Sequence, residues 1–175
     1  AVTDDWPDPE VVIRLGASPT SKPLRKYLAR TGARQLLVDP AADWREAEFT
    51  ATDLVVADPS RLAARLSRLV AGSPDPEWRD RWTEAEETHW SVVGDSEAFY
   101  EGRVLGDVAE LAPEPSTLFV SNSMPVRDLD RFGKPSDAAR TVLANRGASG
   151  IDGIVSTALG AGSATTDDLT LVTGD

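Results

Sequence analysis

The chain has 175 residues, of which 41% are hydrophobic and 27% charged, a composition typical of a folded globular protein. Its 29 acidic residues outnumber 18 lysines and arginines, and the resulting net charge of -11 disfavours a general nucleic-acid or anionic-membrane partner. The absence of cysteine and the single histidine exclude disulfides, zinc clusters and thiol nucleophiles. Any bound metal would therefore be held by oxygen ligands.

The sequence also suggests where the protein works. It has no apolar run of membrane-spanning length, and its N-terminus lacks the basic and apolar segments of a signal peptide, so we expect a cytoplasmic protein. Lysine occurs only at Lys22, Lys26 and Lys134, whereas aspartate is abundant. This pattern suits a high-salt cytoplasm and equally suits an ordinary acidic protein.

Short apolar runs alternate with amphipathic segments in the first part of the chain. We predict three strands and two helices in the order Val11–Leu15, a helix from 20 to 30, Gln35–Val38, Leu54–Ala57 and a helix from 59 to 70. Such alternation predicts the α/β class, with a parallel sheet that helices cover on both faces.

The segment Ala71–Pro76 is the best candidate for a linker, because it is rich in glycine and proline. Beyond it we predict helices from 77 to 91 and from 96 to 111, then strands at Thr117–Val120, Thr141–Leu143 and Leu169–Val172. The predicted organisation is thus one α/β domain over residues 1–73, a linker and connecting helix over 74–95, and a second α/β domain over 96–175.

In open α/β sheets, ligands bind at the carboxyl ends of the strands, so the loops after the three late strands are candidate sites. The first loop carries Ser123 and, one turn into the following helix, Arg127. The alternative interpretation is structural: serine caps a helix, and Arg127 pairs with Asp128 or Asp130 on the surface.

The second loop, Asn145–Gly153, places three glycines at three-residue spacing beside Arg146. Glycines let a ligand approach the backbone, and an arginine fork suits a carboxylate or phosphate. The spacing is not that of a dinucleotide-binding fingerprint, and a flexible turn remains the alternative. The third loop is Leu171–Asp175, where Gly174 and Asp175 follow an apolar strand. A chain ending there is expected to be a fragment.

Three strings within these loops, VSNSMPVRDLDRF, NRGASGIDGIVSTALG and LVTGD, closely resemble the thiamine-diphosphate-dependent SEPHCHC synthases of menaquinone biosynthesis. A weaker resemblance covers VVIRLGASPTSKPLRKYL. Members of this family have three α/β domains. The resemblance implies that the chain contains the later part of the middle domain and the start of the diphosphate-binding domain.

The resemblance implies a reaction in which thiamine diphosphate decarboxylates 2-oxoglutarate and the succinyl carbanion adds to isochorismate. By matching motifs, Ser123 and Arg127 would contact substrate, and Arg146 would bind a substrate carboxylate. Ile151 would support the bent cofactor. Gly174 would let the diphosphate approach, and Asp175 would ligate Mg²⁺ or Mn²⁺.

The family's activating glutamate and the remaining metal ligands have no counterpart in these 175 residues. In the superfamily, the complete site lies between subunits of a homo-oligomer. The resemblance therefore implies that this chain alone is inactive. Two alternatives stay open: another thiamine-diphosphate enzyme, such as a 2-oxoacid decarboxylase or an acetolactate-type synthase, and a non-catalytic α/β ligand-binding module.

Overall fold

The structure is a computed structural model that describes residues 6–73, 75–145 and 151–174. The chain divides into two compact units, residues 1–82 and residues 83–175. The division falls within the stretch 74–95, which the sequence predicts to be a linker and connecting helix.

The first unit is a parallel three-stranded sheet with helices between and after its strands. Its elements are β1 (Val11–Leu15), α1 (Lys22–Arg30), β2 (Arg34–Val38), β3 (Asp53–Val55), α2 (Pro59–Leu69) and the start of α3 (Pro76–Asp95). The strands are ordered β1-β2-β3, and every pair is parallel. This arrangement confirms the α/β class predicted from the sequence.

Local sequence signals explain where the two short helices of this unit begin. The Ser21 side chain accepts a hydrogen bond from the backbone N–H of Leu24, and the Asp58 carboxylate accepts one from that of Arg61. In both helices a proline occupies the first or second position, where its missing N–H leaves no intrahelical bond unmade. A side-chain acceptor followed by proline is therefore the start signal of both helices.

The core of the first unit lies between β2 and α1, where Leu37, Val38, Tyr27 and Leu28 are buried. The other side of the sheet is more open than predicted, since alternate residues of β1 are about half exposed: Val11, Ile13 and Leu15. No residue of α2 is buried. The described helices of this unit thus leave that part of the sheet uncovered.

A buried ion pair joins β1 of the same unit to the loop between β2 and β3. An Arg14 guanidinium nitrogen lies 3.2 Å from the Glu46 carboxylate, and neither side chain is more than 7% exposed. The Glu46 carboxylate also accepts hydrogen bonds from the backbone N–H groups of Glu48, Thr50 and Ala51. Burial raises the pKa of Glu46, but these amides and Arg14 outweigh it and hold the pKa below its ordinary value.

The second unit is also a parallel three-stranded sheet. Its elements after α3 are α4 (Glu101–Leu111), β4 (Ser116–Val120), α5 (Met124–Phe132), β5 (Arg140–Leu143), α6 (Ile154–Ser163) and β6 (Asp168–Val172). The strand order is β5-β4-β6, so β4 is central. All five of its residues are buried.

Side chains of β4 alternate between two apolar clusters on opposite faces of this sheet. On one face, Leu118 and Val120 pack with residues of α4 and α5. On the other, Phe119 packs with Ile154 and Ala158 of α6. The helices therefore form a three-layer arrangement around β4, as the α/β class requires.

The predicted helix from 96 to 111 begins later than expected, at Glu101. Residues 96–100 have no helical structure, and the Ser96 carbonyl oxygen accepts a hydrogen bond from the Arg103 guanidinium instead. The helix then packs closely against α5, because Gly102 and Gly106 leave space for Phe132. The other predicted strands and helices are present with smaller shifts at their ends.

Candidate active site

The carboxyl ends of β4 and β6 lie side by side and position two of the predicted site segments. The backbone N–H of Ser121 donates to the Val172 carbonyl oxygen at 2.9 Å, one residue beyond the end of β4. Further along, a Cβ on Gly174 would lie 3.7 Å from the Pro125 Cγ atom. The structure thus brings the end of β6 against the start of α5.

Ser123 precedes α5 with a backbone conformation that is rare for a residue with a side chain. Its φ is 72° and its ψ is -121°. Although it occupies the N-cap position, its hydroxyl makes no cap hydrogen bond. The capping interpretation of Ser123 therefore fails, and the residue is exposed.

Arg127 lies one turn into α5 on the exposed side of the helix. Its guanidinium contacts the Met124 sulfur at 3.9 Å. Within the described parts of the chain it forms no ion pair, so the expected alternative of pairing with Asp128 or Asp130 is not observed. Its fork of donors is therefore not committed to a carboxylate of the same helix.

Ile151 lies just before α6, which follows β5 at the same edge of the sheet. The side chain is 84% exposed, unusual for isoleucine. Between it and the helix, Gly153 has a φ of 84°, in the left-handed region that favours glycine. The Gly153 carbonyl oxygen accepts bonds from both the backbone N–H and the hydroxyl of Thr157, which fixes the start of α6.

Two predicted site residues, Arg146 and Asp175, lie outside the described residues. Among the others, Gly174 lies against the start of the helix that carries Arg127 and follows Ser123. Ile151 lies at the carboxyl edge of the same sheet, after the neighbouring strand β5. The structure therefore assembles four of the six predicted residues on one edge of one sheet.

The backbone at this edge has features that suit a diphosphate. Helices α5 and α6 both begin there, and neither has an acidic residue in its first turn. Free amides at a helix N-terminus attract anions, and a glycine such as Gly174 permits close approach. Within the described ranges, no cluster of three histidine or acidic side chains could hold a metal ion.

Sequence reasoning missed two residues that shape this edge. Pro125 contacts the position where a Gly174 side chain would be, and the Asn145 amide donates to the Thr157 hydroxyl at 3.4 Å across the base of the glycine-rich loop. The threonine four residues after Gly153 was an available signal, because hydroxyl side chains often bond the carbonyl one turn back. Pro125 carried no comparable signal.

Comparison with known proteins identifies the family. No protein-family model matches the chain. The chain is 64% identical, over 99% of its length, to the 2-succinyl-5-enolpyruvyl-6-hydroxy-3-cyclohexene-1-carboxylate synthase of Halorubrum lacusprofundi. It is 62% identical over 98% to the enzyme of that name from Haloarcula marismortui, and 36% identical over 98% to that from Bacillus cytotoxicus.

The match covers nearly all of this chain but only part of each relative. The chain spans 30%, 29% and 30% of the three relatives, in the same order. In the parts that the structure describes, no helix is both long and apolar enough to cross a membrane. With identities of this size along its whole length, the chain belongs to the 2-succinyl-5-enolpyruvyl-6-hydroxy-3-cyclohexene-1-carboxylate synthase family, here abbreviated SEPHCHC synthase.

Proposed function

We propose that this chain is part of a transferase that decarboxylates 2-oxoglutarate and adds the succinyl group to isochorismate in menaquinone biosynthesis. The observation that carries the proposal is the identity of 53–64% to haloarchaeal SEPHCHC synthases over almost the whole chain. The arrangement of Ser123, Arg127, Ile151 and Gly174 on one sheet edge supports it.

Arginine is suited to this reaction because both substrates carry carboxylates. A guanidinium binds a carboxylate through two parallel hydrogen bonds and offsets the repulsion between two anions held together. In the proposal, Arg127 and Arg146 supply these forks. Within the described residues, the Arg127 guanidinium makes a hydrogen-bond contact only to the Met124 sulfur, which supports its role, and Ser123 would offer its hydroxyl to the same substrate.

Thiamine diphosphate, when bound, would supply the carbanion chemistry. Gly174 would leave room for its diphosphate beside α5, and Ile151 would pack against the cofactor. The 84% exposure of Ile151 supports this role, since so large an apolar side chain is seldom left so exposed. Asp175 would provide one oxygen ligand to Mg²⁺ or Mn²⁺.

The proposal also covers the oligomeric state, the location and the salt conditions of the whole enzyme. The chain spans about 30% of its relatives, and we expect it to be inactive alone. The whole enzyme would be a cytoplasmic homo-oligomer acting on small molecules. The relatives from Halorubrum and Haloarcula and the net charge of -11 support function at high salt.

The decisive experiment measures product formation by the full-length enzyme from 2-oxoglutarate and isochorismate, with thiamine diphosphate and Mg²⁺. Variants Arg127→Ala and Arg146→Ala are compared with Arg131→Ala. Arg131 is a matched control, because it is exposed on the same helix as Arg127, one turn further from the sheet edge.

We expect kcat/KM to fall about 10- to 100-fold in the first two variants, as for the loss of a charged hydrogen bond, and to be unchanged in the control. Equal losses in all three variants would remove the assigned role of the arginines. A parent enzyme that consumes pyruvate in preference to 2-oxoglutarate would overturn the proposed reaction in favour of an acetolactate-type synthase or a decarboxylase.

A further inference from the structure

The turn that leads into α6 contains an aspartate followed directly by a glycine. Asp152 and Gly153 form the only Asp-Gly pair of the sequence, which has no Asn-Gly pair. Both residues are exposed. In the described part of the chain, the Asp152 carboxylate forms no hydrogen bond and no ion pair. No partner among these residues therefore holds the carboxylate away from the backbone that follows it.

The backbone N–H of Gly153 is also unbonded within the described residues. It lies at the start of α6, where N–H groups have no intrahelical acceptor. The turn is closed by the Ile154 N–H, which donates to the Ile151 carbonyl oxygen at 3.4 Å, and Gly153 has the φ of 84° and ψ of -1° of the third residue in a type II turn. Beyond its chain neighbours, a Cβ on Gly153 would meet only the Ser156 hydroxyl within 4 Å. The nitrogen is therefore accessible to an adjacent side chain.

We propose that Asp152 is a site of spontaneous isomerisation to isoaspartate. The Gly153 nitrogen attacks the Asp152 Cγ atom, a C–N bond closes a five-membered succinimide ring, and the amide proton leaves with the carboxyl hydroxyl as water. Water then opens the ring by breaking one of its two C–N bonds. When the bond to the original peptide carbonyl breaks, the main chain runs through Cβ and Cγ of residue 152. Glycine favours the attack because it has no Cβ to obstruct it.

The modification would change one side of the turn only. Isoaspartate places one more atom in the main chain between Ile151 and Gly153, so the bond between the Ile154 N–H and the Ile151 carbonyl oxygen would be lost. On the other side, the Gly153 carbonyl oxygen stays bonded to the N–H and the hydroxyl of Thr157. Isomerisation would therefore displace Ile151 and leave α6 in place.

The test follows isoaspartate in the folded chain during incubation at neutral pH. Trypsin releases residues 147–175 as one peptide, since no lysine or arginine follows Arg146. Electron-transfer fragmentation locates isoaspartate in this peptide, and isoaspartyl methyltransferase with labelled S-adenosylmethionine quantifies it. Asp168 is the internal control, because it is exposed in the same peptide but lies in β6 and precedes Leu169. Asp152→Glu is the matched variant, because it keeps the charge but would have to close a six-membered ring.

We expect isoaspartate to accumulate with time at residue 152 and not at residue 168, and the labelling of the peptide to be lost in Asp152→Glu. An unincubated sample gives the background from digestion, and circular dichroism verifies that the chain stays folded. The isolated peptide, incubated separately, is the unfolded reference. Isoaspartate that forms in this peptide but not in the folded chain would show that the turn protects Asp152. That result, equal accumulation at residues 152 and 168, or undiminished labelling of Asp152→Glu would overturn the proposal.

Discussion

Ser121 and Val172 are joined by a backbone hydrogen bond of 2.9 Å at the point where their two strands end. Beyond this bond, one chain segment continues through Ser123 into α5 and the other continues to Gly174. Because the two segments leave the sheet together, Gly174 lies so near the start of α5 that a Cβ on it would meet Pro125 at 3.7 Å. The candidate site is therefore set by strand pairing rather than by loop contacts alone.

The backbone at Ser123 is expected to be under strain, since a φ of 72° with a ψ of -121° is disfavoured for residues with a Cβ. We predict that Ser123→Gly raises the free energy of unfolding of this chain by about 1 kcal/mol. Ser123→Ala keeps the Cβ and should give no such gain. Urea unfolding of both variants checks the difference, and equal stabilities would show that the backbone at this position is relaxed.

Glu46 makes stability depend on pH in the acid range. Its pKa in the folded protein lies below the ordinary value of 4.5, so the unfolded chain binds the proton more readily. The stabilisation is complete above that ordinary value and is lost as the pH falls through the folded pKa. We expect Glu46→Gln to be less stable by about 3–5 kcal/mol at pH 7, because Arg14 is left buried without its ion pair.

The same variant isolates this contribution from that of the other carboxylates. Between pH 5 and pH 3, the unfolding free energy should fall less steeply in Glu46→Gln than in the parent. Urea titrations at each pH measure the two slopes. Identical slopes would mean that Glu46 titrates alike in the folded and unfolded states.

The contact between α4 and α5 requires a glycine at position 106. A Cβ there would lie 2.8 Å from the backbone oxygen of Phe132, which cannot rotate away. We predict that Gly106→Ala lowers the unfolding free energy by about 1–3 kcal/mol through overpacking. Gly160→Ala in α6 is the control, because a Cβ at that position meets nothing within 4 Å. The higher helix propensity of alanine should raise the unfolding free energy of this variant by about 0.5–1 kcal/mol. Thermal unfolding that ranks the two variants in the opposite order would contradict this packing.

Net charge predicts the response of the chain to salt. Repulsion among its excess carboxylates acts over about 10 Å in 0.1 M salt and about 3 Å in 1 M salt. We therefore expect Tm to rise as KCl increases between these concentrations. Lys134→Glu, at an exposed residue, should be less stable than the parent by up to about 0.5 kcal/mol in 0.1 M KCl and should recover in 1 M KCl. A Tm that falls with KCl in both proteins would exclude self-repulsion as the dominant effect.

The regular elements were the part of the fold most accessible to sequence reasoning. The run Val11–Leu15 is β1 to the residue, because a β-branched run closed by glycine has few other structures open to it. The predicted start of α4 at residue 96 was wrong. Ser96 is a residue type that often caps a helix, but its carbonyl oxygen accepts a hydrogen bond from the Arg103 guanidinium. The buried Glu46 was missed because its partners come from other elements and leave no periodic pattern.

Candidate site residues could be named from the sequence, but their conformation and arrangement could not. Loop composition after parallel strands indicated Ser123, Arg127 and Gly174, and the strand order then placed them at one edge. The conformation of Ser123 could not be predicted, because a positive φ in serine has no sequence signal comparable to glycine. The site roles of all six residues are proposals, and two of them, Arg146 and Asp175, lie outside the described residues.

Successive side chains of β4 support different helices of the candidate site, because they point to opposite faces of the sheet. Leu118 packs beneath α4 and α5, whereas the next residue, Phe119, packs beneath α6. A cavity made at Leu118 would loosen the helix that carries Arg127 and leave Ile151 in place, and a cavity made at Phe119 would do the reverse. With the roles proposed above, two adjacent buried residues of β4 would act separately on the substrate-binding part and the cofactor-binding part of the site.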